Sequence, residues 1–256
     1  MFKVKLIAFQ TIVMNEIHRF SRLWMQTLLP PMITMTLYFV IFGSLIGSRV
    51  GKMEGVPFMQ FMAPGLIMMS IITNSYANVV SSFYGIRFQR SVEELLVSPT
   101  PNSLILLGYT IGGVIRGIIT GIIITIIALF FTNLHVQHIF ITMTIVILTA
   151  LLFSLAGFLN AVYSKSFDDI TIIPTFVLTP LTYLGGVFYS IHQLPDAWRD
   201  VSLANPVLYI VNTFRYGILG ITDVHIAVAF VIIFLCVIGL YALNLRLLNK
   251  GVGIRT

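Results

Sequence analysis

LILLGYTIGGVIRGIITGIIITIIALFF, residues Leu104 to Phe131, holds ten isoleucines among 28 residues and one charge, Arg116. As a helix it would be about 42 Å long, more than the ~30 Å of bilayer hydrocarbon. An arginine at a helix centre costs roughly 3 kcal/mol to insert, and each Leu or Ile returns about 0.5. Arg116 therefore does not veto insertion. The run is continuous, whereas membrane strands alternate over about 10 residues. A transmembrane helix is the expected form.

The rest of the chain extends that reading. Of 256 residues, 57% are hydrophobic and 9% are charged, against about 25% charged in a soluble domain. A water-soluble globule of this size does not bury that much apolar surface. Five further runs are long and apolar enough to span, namely Thr27–Gly47, Phe58–Val80, Ile139–Tyr163, Ile170–Ile191 and Ile226–Leu245. The expected fold is an all-α membrane protein of six spans. It is organised as one transmembrane domain over residues 1–256, with an interfacial helix at 1–25, the bundle at 27–248 and a tail at 249–256.

Loop charges set the expected orientation. With the N-terminus inside, cytoplasmic segments hold ten Lys or Arg, including Lys3, Arg19, Arg87, Arg90, Lys165 and Arg246, and outer segments hold four, Arg49, Lys52, Arg199 and Arg215. That asymmetry places both termini in the cytoplasm. The net charge of +6 is scattered between apolar runs, so no nucleic-acid partner is expected.

Residues 1–25 carry Glu16, His18, Arg19 and Arg22 where a signal peptide has an uncharged core. Leu6, Phe9, Val13, Ile17, Phe20 and Trp24 recur at steps of three and four. The pattern predicts an amphipathic helix along the cytoplasmic surface. Pro30 and Pro31 belong in the first turn of the first span, where a missing N–H is tolerated.

After the second span comes RFQRSVEELLVSPTP, residues Arg87 to Pro101. Ser91 and Glu94 have capping-box spacing, and Pro99 and Pro101 stop the helix they open. A short stiff helix held between two spans, with Val92, Leu95 and Leu96 beside charges, fits docking onto a protein partner. The alternative is a surface helix dipping into headgroups.

Phe88-Gln89-Arg90, then Glu93-Glu94-Leu95-Leu96 and Pro99, resembles the ATPase-coupling segment of ABC-2-type transporter permeases. The order and spacing of Pro180-Leu181-Thr182-Tyr183-Leu184-Gly185-Gly186-Val187-Phe188-Tyr189, Leu194-Pro195, Trp198, Asn205-Pro206, Tyr209 and Arg215-Tyr216-Gly217 resemble that family's C-terminal signature. The resemblance covers nearly the whole chain and is nearest to bacterial inner-membrane permeases of poorly defined cargo. It implies the type V exporter fold and an inner-membrane permease subunit that forms the translocation path. It also implies two short re-entrant helices before the last span, with Tyr189, Leu194, Pro195, Trp198, Asn205, Pro206 and Arg215 at an outer gate. Residue by residue, Pro195 can open a short helix with Asp196 in its first turn, and Asn205-Pro206 can end it and start another. An ordinary outer loop with interfacial aromatics fits those residues equally well.

The chain's own chemistry agrees with a divided machine. A phosphate loop needs G-x-x-x-x-G-K-[ST]. The Gly51-Lys52 pair lacks the earlier glycine and is followed by Met53. No cofactor is expected in this chain, and ATP and magnesium belong on a separate ABC ATPase subunit, expected in two copies. Two six-span copies give the twelve-helix unit usual in the family, most simply as a homodimer.

Ser166-Phe167-Asp168-Asp169 has a second capping box, and its loop is a further candidate ATPase contact through Asp168 and Asp169. Gly113, Gly117 and Gly121 allow close helix approach to a partner that the sequence does not identify. Arg116 is a functional candidate by position; pairing with carbonyls or another helix is the equal alternative. His135 and His138 have no Cys or carboxylate nearby in sequence, so no metal is expected. Cys236 is the single cysteine, in an apolar run. A stand-alone secondary carrier or channel is the alternative function, but the spans show no internal repeat and no carboxylate at mid-depth. A membrane enzyme would need clustered acidic or His residues on the spans.

Overall fold

The computed structural model describes residues 2–89 and 100–252. Helix α1 (Phe2–Arg22) leads into α2 (Trp24–Thr27) and α3 (Leu29–Val40), which continues through a π-helical stretch at Ile41–Ile46 into α4 (Gly47–Val50). A two-strand hairpin, β1 (Lys52–Met53) and β2 (Val56–Pro57), precedes α5 (Phe58–Phe88). Its turn residues Glu54 and Gly55 both have positive φ, 49° and 84°, as a tight two-residue hairpin turn requires. Next come α6 (Asn102–Leu129), α7 (Ile139–Tyr163), α8 (Asp169–Ile173), a π-helical stretch at Pro174–Leu178, and α9 (Thr179–Tyr183). Helices α10 (Asp196–Leu203), α11 (Pro206–Leu219) and α12 (Ile226–Lys250) complete the chain.

Among the described residues five helices are long and apolar enough to cross a membrane: Trp24–Gly43, α5, α6, α7 and α12. Trp24–Gly43 starts three residues before the expected first span, and α5 and α12 run eight and five residues past the expected ends of the second and sixth. The expected span Ile170–Ile191 differs. It is helical only from 169 to 183, about 22 Å at 1.5 Å per residue. The chain then turns at Gly186 (φ 72°). Residues 187–191 fold back onto α5 and α11, where Val187 and Ser190 are fully buried. Pro174 has no N–H for the helical ladder, and the π-helical stretch opens at that proline.

Helix α5 is the axis of the bundle. Of its most apolar window, 78% is buried within the chain, against 17% for α12. Small residues let its neighbours reach it. A Cβ at Gly113 or Gly117 of α6 would strike the Ser75 and Val79 region of α5, and one at Gly157 of α7 would meet the Tyr76 carbonyl at 2.5 Å. The partner of the α6 glycine stripe is therefore α5. Two more glycines of α6, Gly108 and Gly112, take Ile12 and Glu16 of α1.

That contact corrects the expected face of α1. Ile12, Glu16 and Phe20 are the buried positions, while Leu6 and Trp24 are about half exposed. The stripe is shifted by one residue from the all-apolar one because α6 offers glycines that receive a carboxylate-bearing side chain. Leu28 breaks the helix before α3, and Pro30 and Pro31 do lie in the first turn of α3.

Candidate functional site

Three polar assemblies break the apolar bundle. The first lies where α1 meets α5 and α6. Asn74, Asn78 and Ser82 recur every four residues on α5 and so share one face. Glu16 is 3% exposed. It accepts hydrogen bonds from Asn78 Nδ2 at 3.0 Å, from Ser82 Oγ, and from Arg19 Nη2 at 3.0 Å. Arg19 also donates to the Asn78 backbone carbonyl and side-chain oxygen, both at 3.0 Å. One turn along α5, Arg116 Nη2 donates to Asn74 Oδ1 at 3.1 Å and to the Thr27 carbonyl at 3.2 Å. Arg116 thus takes the pairing the sequence left open: a backbone carbonyl and a neighbouring helix. Sequence reasoning placed Arg116 but missed Glu16 as a buried group. The available signal was the Asn74, Asn78, Ser82 repeat inside an apolar run, which needs partners of its own.

The second assembly is the root of the segment resembling a coupling helix. Phe88 closes α5 and Gln89 caps it, its N–H bonding the Gly85 carbonyl at 3.1 Å. The Phe88 ring lies 4.9 Å from Phe167, which also meets Tyr84 edge-on at 4.9 Å. Tyr84 Oη donates to the Lys165 carbonyl at 3.2 Å. Arg87 donates to the Ala161 carbonyl and, at 2.8 Å, to that of Val162, satisfying carbonyls in the last turn of α7. The two candidate contact regions, Phe88-Gln89 and the 164–169 loop, therefore form one unit. Arg90, Glu93, Glu94, Leu95 and Leu96 lie outside the described residues.

The loop itself is capped as its sequence predicts. Asp169 accepts from the Lys165 and Ser166 amides at 2.7 and 3.0 Å, and Ser166 Oγ accepts from the Asp169 amide at 3.1 Å. The Lys165 amide, first, and then Ser166 hold the Asp169 carboxyl below its ordinary value. Asp168 occupies the N-cap position without a side-chain bond to the helix.

The third assembly surrounds Arg215. Its side chain is fully buried on α11. Nε donates to the Phe61 carbonyl at 3.2 Å, Nη1 to Asn212 Oδ1 at 3.2 Å and Nη2 to the Gly186 carbonyl at 2.6 Å. The guanidinium carbon stands 3.8 Å from the centre of the Phe61 ring, a cation–π contact. Asn212 Oδ1 also accepts from the Asp223 amide at 3.3 Å, and Asp223 accepts from Ser190 Oγ and the Ile191 amide at 3.2 Å. Arg215 is thus a clamp between α5, the 184–191 turn and α11. It is no loop charge, and the orientation count loses it.

Around this clamp the short helices form as expected. Pro195 precedes α10, with Asp196 in its first turn. Asn205 caps α11 by accepting from the Val207 amide at 2.9 Å, and Pro206 takes the first helical position. Asn205 Nδ2 also donates to the Leu181 carbonyl at 2.6 Å, tying α11 to the end of α9. Tyr189 and Leu194 are half-buried, and Trp198 is 55% exposed. His138 stacks on Tyr216 at 4.8 Å.

Comparison with known proteins joins these features. The chain is 54% identical over 251 residues to the inner membrane transport permease YadH of Escherichia coli (strain K12), covering 98% of each chain. It is 23% identical over 185 residues to nodulation protein J of Rhizobium leguminosarum bv. viciae, covering 72% of this chain and 71% of that one. Residues 7–219 match the family described as ABC-2 type transporter. That match takes in the first two polar assemblies and the Arg215 clamp except Asp223, and with it the chain belongs to the ABC-2 type transporter family, as a membrane permease component rather than an enzyme.

Proposed function

We propose that this permease subunit works in the inner membrane as an exporter, driven by a separate ABC ATPase through the joint cytoplasmic unit of residues 84–96 and 164–169. The observation that carries this reading is the pinning of Phe88 and Tyr84 to Phe167 and Lys165. A helix docked on an ATPase moves its attached spans only if its root is stiff. Here the root also packs on the loop that opens the fifth crossing, so one displacement reaches α5 and α8 together.

The remaining finer points follow from this reading. Both termini are cytoplasmic, and the 15 helical residues at 169–183 make a short fifth crossing within one domain. The 184–219 segment, with α10 and α11, forms the re-entrant outer cap held by Arg215. Two copies of the chain associate. Exposed apolar residues on Trp24–Gly43 and on 169–183, among them Ile33, Leu37, Ile172 and Phe176, supply surface for a second copy. Two ATPase subunits carry ATP and magnesium; this chain carries no cofactor.

The test is co-purification and ATP turnover of the assembled transporter at matched membrane levels. Leu95→Asp should weaken assembly, because a buried leucine contributes up to about 1.5–3 kcal/mol. Phe167→Ala should leave assembly intact but lower coupled ATP turnover. If both variants assemble and turn over like the parent, this unit is not the coupling site.

A further inference from the structure

The charges of the α1–α5–α6 assembly do not balance. Arg19 and Arg116 contribute two cations and Glu16 one anion, and Glu16 is committed to Arg19. Among the described residues Arg116 has no ion-pair partner, although it is 8% exposed. Both of its hydrogen bonds use Nη2, and its buried Nε has no partner among the described residues. A buried cation without a counter-charge is costly in any low-dielectric setting.

Arg116 forms part of the wall of a cleft of about 330 Å³ between α3 and the α5–α6 pair. Ser70, Thr73, Asn74 and Arg116 line it from α5 and α6. The facing wall mixes polar Thr34 and Tyr38 with apolar Pro30, Pro31 and Met35. The first span, which forms one wall, is only 11% buried within the chain. An arginine set among proline and methionine side chains suits a molecule with an anionic end and an apolar body.

We infer that this cleft binds the anionic headgroup of an amphiphile, with a phosphate or carboxylate oxygen on Nη1 of the Arg116 guanidinium. Nη1 makes no hydrogen bond among the described residues, so it is left to donate to such an oxygen. The buried Ser70 hydroxyl, which has no partner among the described residues, can add a neutral donor. Binding needs this chain alone, so the inference stands apart from the coupling mechanism.

The experiment is native mass spectrometry of the detergent-purified chain titrated with phosphatidylglycerol, phosphatidylcholine or inorganic phosphate. The parent should retain phosphatidylglycerol over phosphatidylcholine. Arg116→Gln should weaken that retention about tenfold, the loss of one charge-assisted contact. Arg116→Lys should restore part of it. Thr73→Phe, which fills the cleft and leaves the arginine, should weaken it too, and it carries the test if Arg116→Gln does not accumulate. Arg22→Gln, at an exposed position on α1, should leave it unchanged. Competition by millimolar phosphate would assign the same site to a free anion; no competition assigns it to a lipid headgroup. Equal retention of both lipids, or unaltered retention in Arg116→Gln and Thr73→Phe, overturns the inference.

Discussion

At the scale of single residues, the two buried arginines of this bundle do different work. Arg215 has all three guanidinium nitrogens engaged and lies over the Phe61 ring. It holds together backbone carbonyls that have no water to turn to. Arg215→Ala would strand the Phe61 and Gly186 carbonyls, at about 1–3 kcal/mol each. The expected result is a fall in the melting temperature of the detergent-purified chain on the order of 5–10 °C. Arg215→Lys should recover little of it, because an ammonium does not reproduce the planar fork. A lysine variant as stable as the parent would show that charge alone matters there. Asp169 has a pH signature of its own. Its folded-state carboxyl lies below the ordinary value of 3.8, so its contribution to the 165–169 cap is complete above that value. The cap should weaken only as the pH falls through the lower folded value. The protection of the Lys165 and Ser166 amides, taken as the ratio of intrinsic to observed hydrogen-exchange rate, should therefore stay constant from neutral pH down to about 4 and fall below. Asp169→Asn should lower that protection throughout.

At the scale of elements, glycines decide which helices touch. What a new methyl group would strike differs by position. At Gly157 it is the Tyr76 backbone carbonyl, at Gly121 the flexible end of the Ile71 side chain, and at Gly239 open space. Backbone cannot step aside as a side chain can. Thermal melts of Gly157→Ala, Gly121→Ala and Gly239→Ala should thus rank in that order of damage. Gly239→Ala should be neutral or slightly stabilising, since alanine favours a helix by about 1 kcal/mol over glycine. A Gly157→Ala protein as stable as Gly239→Ala would mean that α5 and α7 do not approach so closely.

At the scale of the whole molecule, the open matter is the path of residues 169–183. A 15-residue helical stretch is short for a crossing unless the bilayer thins or neighbouring chain covers its ends. Here the 184–191 turn and α11 sit against its end, through the Asn205 bond to Leu181. Single cysteines in a Cys236→Ser background, labelled with an impermeant thiol reagent, test the path. Positions 165 and 193 should label from opposite sides, with 165 on the side of 89 and 193 on the side of 54. Labelling of 165 and 193 from one side would remove the fifth crossing and invert everything beyond it.

Much of this protein is legible from local chemistry. Continuous apolar runs forbid a soluble globule and set α5, α6, α7 and α12. Ser166 with Asp169, and Asn205 with Pro206, announce their caps because a cap is made by residues within one turn. Arg116 stands out because one charge in an apolar run has no local explanation. What needed the tertiary structure were the long-range pairings. Glu16 is an ordinary polar residue on an amphipathic helix until Gly112 opens room for it and Asn78 and Ser82 bond it, 62 and 66 residues away. Arg215 counts as a loop charge until Phe61, 154 residues earlier, receives it. The run at 184–191 is apolar enough to extend a span, yet it turns back because Gly65 of α5 leaves a place for Val187. Helical propensity and hydropathy act over a turn or a span, and they carry no information about which distant backbone leaves a gap.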